Sequence, residues 1–382
     1  MSPIDVLVYT PYFKPGYKGG GPIKSIYNMT QACSERINFK VVTNDRDLGD
    51  ERPYSGISTT EWTSYKGILI SYVENTWLCI YKIILPILFQ KYDVLYLNSY
   101  FSFKFSLLPL LVSKLVRAKV VLAPRGEFSS GALALKSRKK YIFLRLVKLL
   151  RIHENVIFQA TSEQERSDIK SIFPKSIIQL AENITLLDRQ ESKTPSVQNS
   201  TFTKLVFLSR VSPKKNLLFA IKSLRHVHDK EVSFDIFGPI EDHAYWASCE
   251  AEIETLPDNI KVVYQGGIQP QVVQETLSEY DAFFFPTLGE NYGHVIAEAL
   301  QAGLPLIISD QTPWRNLTEK RLGWDLPLND ERLFSEAIIE LTCFSKQEYS
   351  DFRDGVYKWS YNYFSSTRAI DETFELFFSV VE

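Results

Sequence analysis

The sequence predicts an α/β protein made of two doubly wound halves, each a mostly parallel sheet with helices on both faces. Three observations predict it. Apolar runs of strand length alternate with stretches of helical pattern. One polar segment interrupts the alternation near the middle of the chain. The alternation then restarts.

The first run, IDVLVYT (Ile4–Thr10), is almost continuously apolar, as in a parallel strand covered on both faces. Phe39–Thr43, Val94–Leu97, Lys119–Leu122 and Val156–Gln159 repeat the pattern. Helical stretches such as Ile23–Cys33 and Phe105–Val116 lie between them. Residues 188–203, DRQESKTPSVQNSTFT, are polar, with Pro and Ser, and read as a linker. Beyond them Leu205–Leu208, Ser233–Phe237, Lys261–Tyr264, Ala282–Phe285 and Leu306–Ser309 form a second strand set. The halves are expected at 1–190 and 200–363, facing a ligand cleft at the carboxyl ends of their strands.

Composition narrows the function. The chain has 382 residues, enough for two domains, and a formal net charge of −2, which argues against nucleic acid as the partner. Charge is uneven. Between Phe101 and Arg151 stand twelve Lys/Arg and one acid, Glu127, so one face is expected to meet something anionic. The four cysteines form no C-x-x-C pair and the five histidines no ligand set, as in a reduced protein without a zinc cage. MSPIDVLVYT lacks the charged region of a signal peptide. The apolar stretch Trp77–Gln90 contains Lys82 and Pro86 and is too short for a bilayer span. The expectation is a cytoplasmic monomer.

Residues 136–151, KSRKKYIFLRLVKLLR, carry seven cations and no acid. Ile142, Leu146, Leu149 and Leu150 recur at helical spacing. Such a helix either lies on an anionic bilayer, the inner face of the plasma membrane, or packs its stripe on the sheet while its cations face water.

Residues 287–305 read TLGENYGHVIAEALQAGLP. The strand before them ends at Pro286, Gly289 gives a turn, and Gly303 and Pro305 stop a helix over Val295–Gln301. Asn291 to His294 are then expected in its first turn, where free N–H groups and the dipole suit a phosphate. Gly293 allows close backbone approach. Glu290 and Glu298 would stand roughly 12 Å apart at about 1.5 Å rise per residue. That is too far for the ~5–5.5 Å carboxyl pair of a retaining glycosidase. Read blandly, Glu290 is a helix-start acid and Glu298 a solvated residue. Otherwise the two touch different parts of one long ligand.

With its neighbours, ENYGHVIAEALQAGLP resembles the Glu-x(7)-Glu signature of family-4 retaining glycosyltransferases of the GT-B fold. LSRVSPKKN (Leu208–Asn216) resembles that family's Arg-x(4)-Lys phosphate clamp, YKGGGP (Tyr17–Pro22) its N-terminal glycine loop, and PLIISD (Pro305–Asp310) the strand after the signature helix. The resemblance spans nearly the whole chain, in the order the family requires.

It implies a catalytic set of Glu290 on the donor sugar with Arg210 and Lys215 on the diphosphate. It places Glu298 on the ribose and the backbone of Asn291, Tyr292, Gly293, His294 and Val295 around the distal phosphate. Gly20 and Gly21 would approach the phosphates from the other half. Gly238 would line the base pocket. Many members carry two histidines where this chain has Arg125, on the donor side, and Asn98, which with Glu127 would face the acceptor. Such enzymes use no bound metal or other cofactor, and their last helix, here 364–382, crosses back to the N-terminal half. Asp45-Arg46-Asp47 spells the D-x-D that other glycosyltransferases use for manganese, but in the wrong context, and reads as a structural or acceptor-side loop. APRGEFSSGALALKSRKK resembles a subgroup of bacterial surface-polysaccharide pathways. The implied partners are a nucleoside-diphosphate sugar and a glycan or polyprenyl-diphosphate-linked glycan from O-antigen, capsule or exopolysaccharide synthesis. Two alternatives stand: an inert sugar-nucleotide-binding protein, and a sugar-nucleotide epimerase on the same fold.

Overall fold

The structure, a computed structural model, describes residues 3–134, 137–187 and 202–381. The chain divides into two compact units, Met1–Leu186 with Thr367–Glu382, and Leu187–Ser366. The segment read as a linker lies, up to residue 201, outside the described residues.

The first unit holds eight strands: β1 (Ile4–Tyr9), β2 (Ile37–Asn44), β3 (Thr63–Tyr65), β4 (Ile68–Val73), β5 (Val94–Asn98), β6 (Lys119–Ala123), β7 (Val156–Ala160) and β8 (Ile177–Leu180). Their order is β3-β4-β2-β1-β5-β6-β7-β8, parallel except for β3. Alternate residues of one strand serve opposite faces. Leu7 and Tyr9 join a core with Ile83, Leu110 and Val147 from the helices Tyr81–Phe89, Leu108–Leu115 and Ser137–Leu149. Val6 and Val8 join the opposite core with Ile26 and Met29 of the helix Gly21–Ala32. The helix Arg368–Val381 closes that face. Its buried residues Thr373, Leu376, Phe377 and Val380 recur at helical spacing, and the Phe377 ring lies 5.6 Å from that of Tyr96 on β5.

The second unit holds β9 (Thr203–Leu208), β10 (Val232–Phe237), β11 (Ile260–Gly266), β12 (Ala282–Phe285), β13 (Leu306–Ser309) and β14 (Gly323–Leu326). All pair in parallel, in the order β11-β10-β9-β12-β13-β14. From β9 the chain first winds outward through β10 and β11, then returns to place β12 on the other side of β9. The topological switch point therefore lies between β9 and β12. The same logic puts the switch point of the first unit between β1 and β5.

Four strands escaped the sequence pattern. β3, β8 and β14 have three or four residues each and form sheet edges, whereas β4 has six and lies between β3 and β2. Short edge runs carry too few alternations to read.

Candidate active site

Two loops flank the switch point of the second unit. One leaves β9 and carries Arg210 and Lys215. The other leaves β12 and carries Glu290. Because β9 and β12 are neighbours, residues 75 positions apart meet: the Lys215 ammonium donates to Glu290 Oε1. Both side chains are largely buried, at 14% and 13% exposure, and the ammonium also lies 5.6 Å from the centre of the Phe285 ring.

The backbone explains why the pair forms. Asn216 ends the first loop in the left-handed region, φ 59°, and its side chain donates to Pro286 O at 2.9 Å. Leu288 N donates to Lys214 O at 3.0 Å, and Glu290 N to Gln311 O at 3.1 Å. The loops are stitched to each other and to the segment after β13. Behind them, Gly238 adopts φ +135°, and an added Cβ there would fall 1.9 Å from Ser209 O. Only glycine lets the end of β10 pass so close to the Arg210 loop. Gly238 thus shapes this loop from beneath.

Arg210 does not join the Lys215–Glu290 pair. Its guanidinium donates to Glu241 Oε1 at 2.9 Å, and both side chains are exposed. The sequence reading missed Glu241, whose neighbourhood arises from a long-range bridge between Val211 and Ile240.

The signature helix begins later than its pattern implied. It spans His294–Gln301, and Asn291 to Gly293 belong to the loop, not to its first turn. Gly293 is the cause: it caps the helix with φ +79°, a conformation that no interior helical residue adopts. The separation of Glu290 and Glu298 along one helix therefore does not apply, since Glu290 lies outside it. Tyr292 is buried. Its carbonyl accepts from Trp314 Nε1 at 2.6 Å, and its ring lies 4.9 Å from that of His294 and 5.7 Å from that of Trp314. This aromatic clamp holds the loop ahead of the helix N-terminus. Val295 and Glu298 are half-buried on the helix, and Glu298 O accepts from Gln274 at 3.1 Å.

In the first unit, Asn98 and Arg125 meet at the ends of β5 and β6. Arg125 Nε donates to Asn98 Oδ1 at 2.7 Å, Nη2 to the Tyr96 hydroxyl at 2.7 Å, and Nη1 to Asn183 Oδ1. Asn98 Nδ2 donates to Thr10 Oγ1 at 3.2 Å, and Tyr96 to Gln159 at 2.5 Å. Every nitrogen of the guanidinium is engaged by a neutral acceptor. Glu127 is engaged as well: it accepts from the Ser99 hydroxyl at 2.7 Å and from the backbone of Tyr100 and Phe101. Burial pushes its carboxyl above the usual range, against those hydrogen bonds.

Gly20 caps the helix Gly21–Ala32 at φ +67°, with Pro22 in the first turn. A residue assigned no site role secures this loop. Asp47 accepts from Tyr17 N at 2.7 Å, Lys18 N at 2.9 Å and Leu48 N at 2.8 Å. Asp45 accepts from Arg46 at 2.8 Å. The D-x-D triplet is thereby absorbed into loop structure. Among the described residues, no group of three or more His, Cys, Asp or Glu could hold a metal ion.

Two doubly wound units with loops of opposite charge at a switch point define an α/β protein of the GT-B glycosyltransferase architecture. Residues 188–349 match the model of the family described as glycosyl transferases group 1. The chain is 23% identical over 257 residues to an uncharacterized 41.2 kDa protein in the cps region of Klebsiella pneumoniae, covering 65% of this chain and 67% of that one. Its fold is similar to that of Anabaena Alr3699/HepE in complex with UDP and glucose, with TM-score 0.71, 15% identity and 98% of both chains covered. It is also similar to WaaG, a glycosyltransferase involved in lipopolysaccharide biosynthesis, with TM-score 0.67, 11% identity, and 98% of this chain and 99% of that one covered. A third similar structure is sucrose-phosphate synthase from Thermosynechococcus elongatus, with TM-score 0.71, 13% identity, and 99% and 100% covered.

Proposed function

We propose that the chain is a retaining glycosyltransferase that moves a sugar from a nucleoside diphosphate to a glycan or polyprenyl-diphosphate-linked glycan during bacterial surface-polysaccharide synthesis. The observation that carries this reading is the Lys215–Glu290 pair between β9 and β12, beside the N-terminus of the helix His294–Gln301. Cation, carboxylate and the positive end of a helix dipole together suit a donor that is anionic at one end and hydroxylated at the other.

In the reaction the bond from the anomeric carbon to the diphosphate oxygen breaks, and one to an acceptor hydroxyl oxygen forms on the same face. The acceptor proton leaves with the diphosphate. Charge grows on the leaving oxygen as its bond lengthens, so Lys215 and Arg210 stabilise the transition state more than the ground state. In this proposal these two cations do what a metal does elsewhere, and the transfer needs none. Glu290 orients the donor sugar, and Glu298 accepts from the ribose hydroxyls. The relative from a cps region and the lipopolysaccharide role of WaaG support the pathway. The UDP and glucose in the Anabaena complex support a nucleotide-sugar donor.

The test is thermal stability with UDP, GDP, ADP, dTDP and CMP in turn, with and without magnesium. A ligand at 100 times its Kd adds about 2.7 kcal/mol. One nucleoside diphosphate is expected to raise the melting temperature independently of magnesium, and Arg210→Ala is expected to lose that response. No response to any nucleotide would overturn the donor site. Product formation that survives Glu290→Ala would overturn the role given to that carboxylate.

A further inference from the structure

Exposed apolar surface is concentrated on one side of the first unit. Among the described residues, 23 large hydrophobic side chains are exposed, and fifteen of them fall between Trp77 and Leu150. They ride on, or directly beside, the three helices that cover one sheet face. Ile83, Ile87, Leu110, Val112 and Val147 turn inward to the core. Their outer neighbours are apolar too. Leu78 is 88% exposed, Phe89 78% and Leu115 80%. On Ser137–Leu149 and the residue after it, the stripe Ile142, Leu146, Leu149 and Leu150 lies in solvent at 52–75% exposure, while Phe143, Leu144 and Val147 face the core. The stripe read from the sequence is thus not the one that packs on the sheet.

The elements that carry these outer residues adjoin one another. The helices Tyr81–Phe89 and Leu108–Leu115 pack against each other. The Trp77 ring lies 5.8 Å from Phe103, and the Phe101 ring 5.5 Å from Phe143. The Lys114 ammonium donates to Arg151 O at 2.8 Å, tying the second helix to the end of the third.

Charge decides what covers this surface. Arg117, Arg138 and Arg145 are exposed, and none has a carboxylate partner within 4.0 Å among the described residues. The single acid between Phe101 and Arg151, Glu127, is held inward by Ser99, Tyr100 and Phe101. A second copy seated on this face would set unpaired cations against unpaired cations. Apolar side chains interleaved with unpaired Arg match a lipid surface with anionic headgroups. Among the described residues no helix is long and apolar enough to cross a membrane, so the contact lies on the surface of the bilayer.

We propose that this face of the first unit docks on an anionic lipid bilayer. The exposed side chains Trp77, Leu78, Phe89, Leu111 and Leu115 enter the acyl boundary, and Arg117, Arg138 and Arg145 meet headgroup phosphates. The inference deepens the proposed function, resting on it for the lipid-linked acceptor, but it is measured without donor or sugar transfer, so either can fail alone.

The experiment is co-sedimentation of the full chain with vesicles of phosphatidylcholine, with and without phosphatidylglycerol, at low and high salt. Preferential binding to the anionic vesicles is expected, weakened but not abolished by salt. Leu78→Ser with Phe89→Ser is expected to lose the salt-resistant part, about tenfold or more in lipid affinity. Arg138→Glu with Arg145→Glu is expected to lose the preference for phosphatidylglycerol. All four residues are exposed, so an unchanged melting temperature checks that each variant is folded. Equal recovery in the supernatant with both vesicle types at low salt would overturn the proposal. So would unchanged binding by the Leu78/Phe89 variant. A dimer that dissociates in that variant, without vesicle binding, would assign the face to a second copy instead.

Discussion

The Lys215–Glu290 pair allows a prediction whose sign separates an ion pair from two independent charges. Each side chain keeps only about one seventh of its surface in water, at 14% and 13% exposure. Removing one partner leaves the other charge largely desolvated. A fully buried broken pair costs about 3–5 kcal/mol and an exposed one about 0–1. A pair that retains some solvent falls between, at about 2 kcal/mol for Lys215→Met or Glu290→Leu. For a unit of this size that is a drop of roughly 4–8 °C in melting temperature. The double variant removes both charges and leaves none unpaired, so it is expected to be more stable than either single variant. Urea or thermal unfolding of the four proteins closes the cycle. Sugar transfer is expected to fail in all three variants, so stability and activity part company in the double one. Additive single effects, with the double variant least stable, would refute the pairing argument.

Two other perturbations read different parts of the molecule. Gly238→Ala puts a Cβ 1.9 Å from Ser209 O at a φ of +135°, so it is expected to cost about 3 kcal/mol or more and to displace the Arg210 loop; unfolding within 0.5 kcal/mol of the parent would contradict that geometry. Burial alone would raise the Glu74 carboxyl, but hydrogen bonds, first among them those from Lys82, outweigh it and hold the carboxyl at about 2, below its ordinary 4.5. Its contribution is therefore present above pH 4.5 and lost as pH falls toward 2, at about 1 kcal/mol after allowing for the solvent around it. Lys82→Met should melt below the parent at pH 6, and the gap should narrow by pH 3; a gap equal at both values would refute the assignment.

The sequence disclosed the parts of this fold that repeat. Ala282–Phe285 and Leu306–Ser309 were legible to the residue because central parallel strands are apolar on both faces and end at Pro286 and just before Asp310. The N-terminus of the signature helix was less legible. Val295–Gln301 has a clear helical pattern, but Gly293 in the left-handed region moves Asn291 and Tyr292 out of the helix, and no periodicity shows that. Trp314 beneath Tyr292 and Glu241 beside Arg210 were not legible at all. Both contacts depend on which loops the sheet order brings together, and that order is a property of the whole chain. Asp47 had a local signal, a D-x-D triplet, but its three backbone donors come from two loops about thirty residues apart. The stripe on Ser137–Leu149 was read correctly as helical spacing. Its direction could not be read, because the adjacent residues Phe143, Leu144 and Val147 give that helix a second apolar face.

The polar groups at the two switch points differ in what remains available to a ligand. In the first unit, Arg125, Asn98, Tyr96, Gln159, Thr10 and Asn183 form one hydrogen-bonded network around a guanidinium each of whose nitrogens already donates to a neutral acceptor. An anion that displaced these acceptors would leave each of them unsatisfied, at about 1–3 kcal/mol apiece. In the second unit Lys215 has three donors and one carboxylate partner, and Arg210 is held only by an exposed pair worth about 0–1 kcal/mol. An arriving diphosphate can take Arg210 from Glu241 at little cost. It can also share Lys215 with Glu290, whose second oxygen then turns to a sugar hydroxyl. The cations of the two strand-end loop sets thus differ in how many acceptors hold them: three for Arg125, one each for Arg210 and Lys215. This difference, more than the presence of charge, supports the proposed placing of donor chemistry at Arg210, Lys215 and Glu290, while the hydrogen bonds of Arg125 tie it to Asn98, Tyr96 and Asn183.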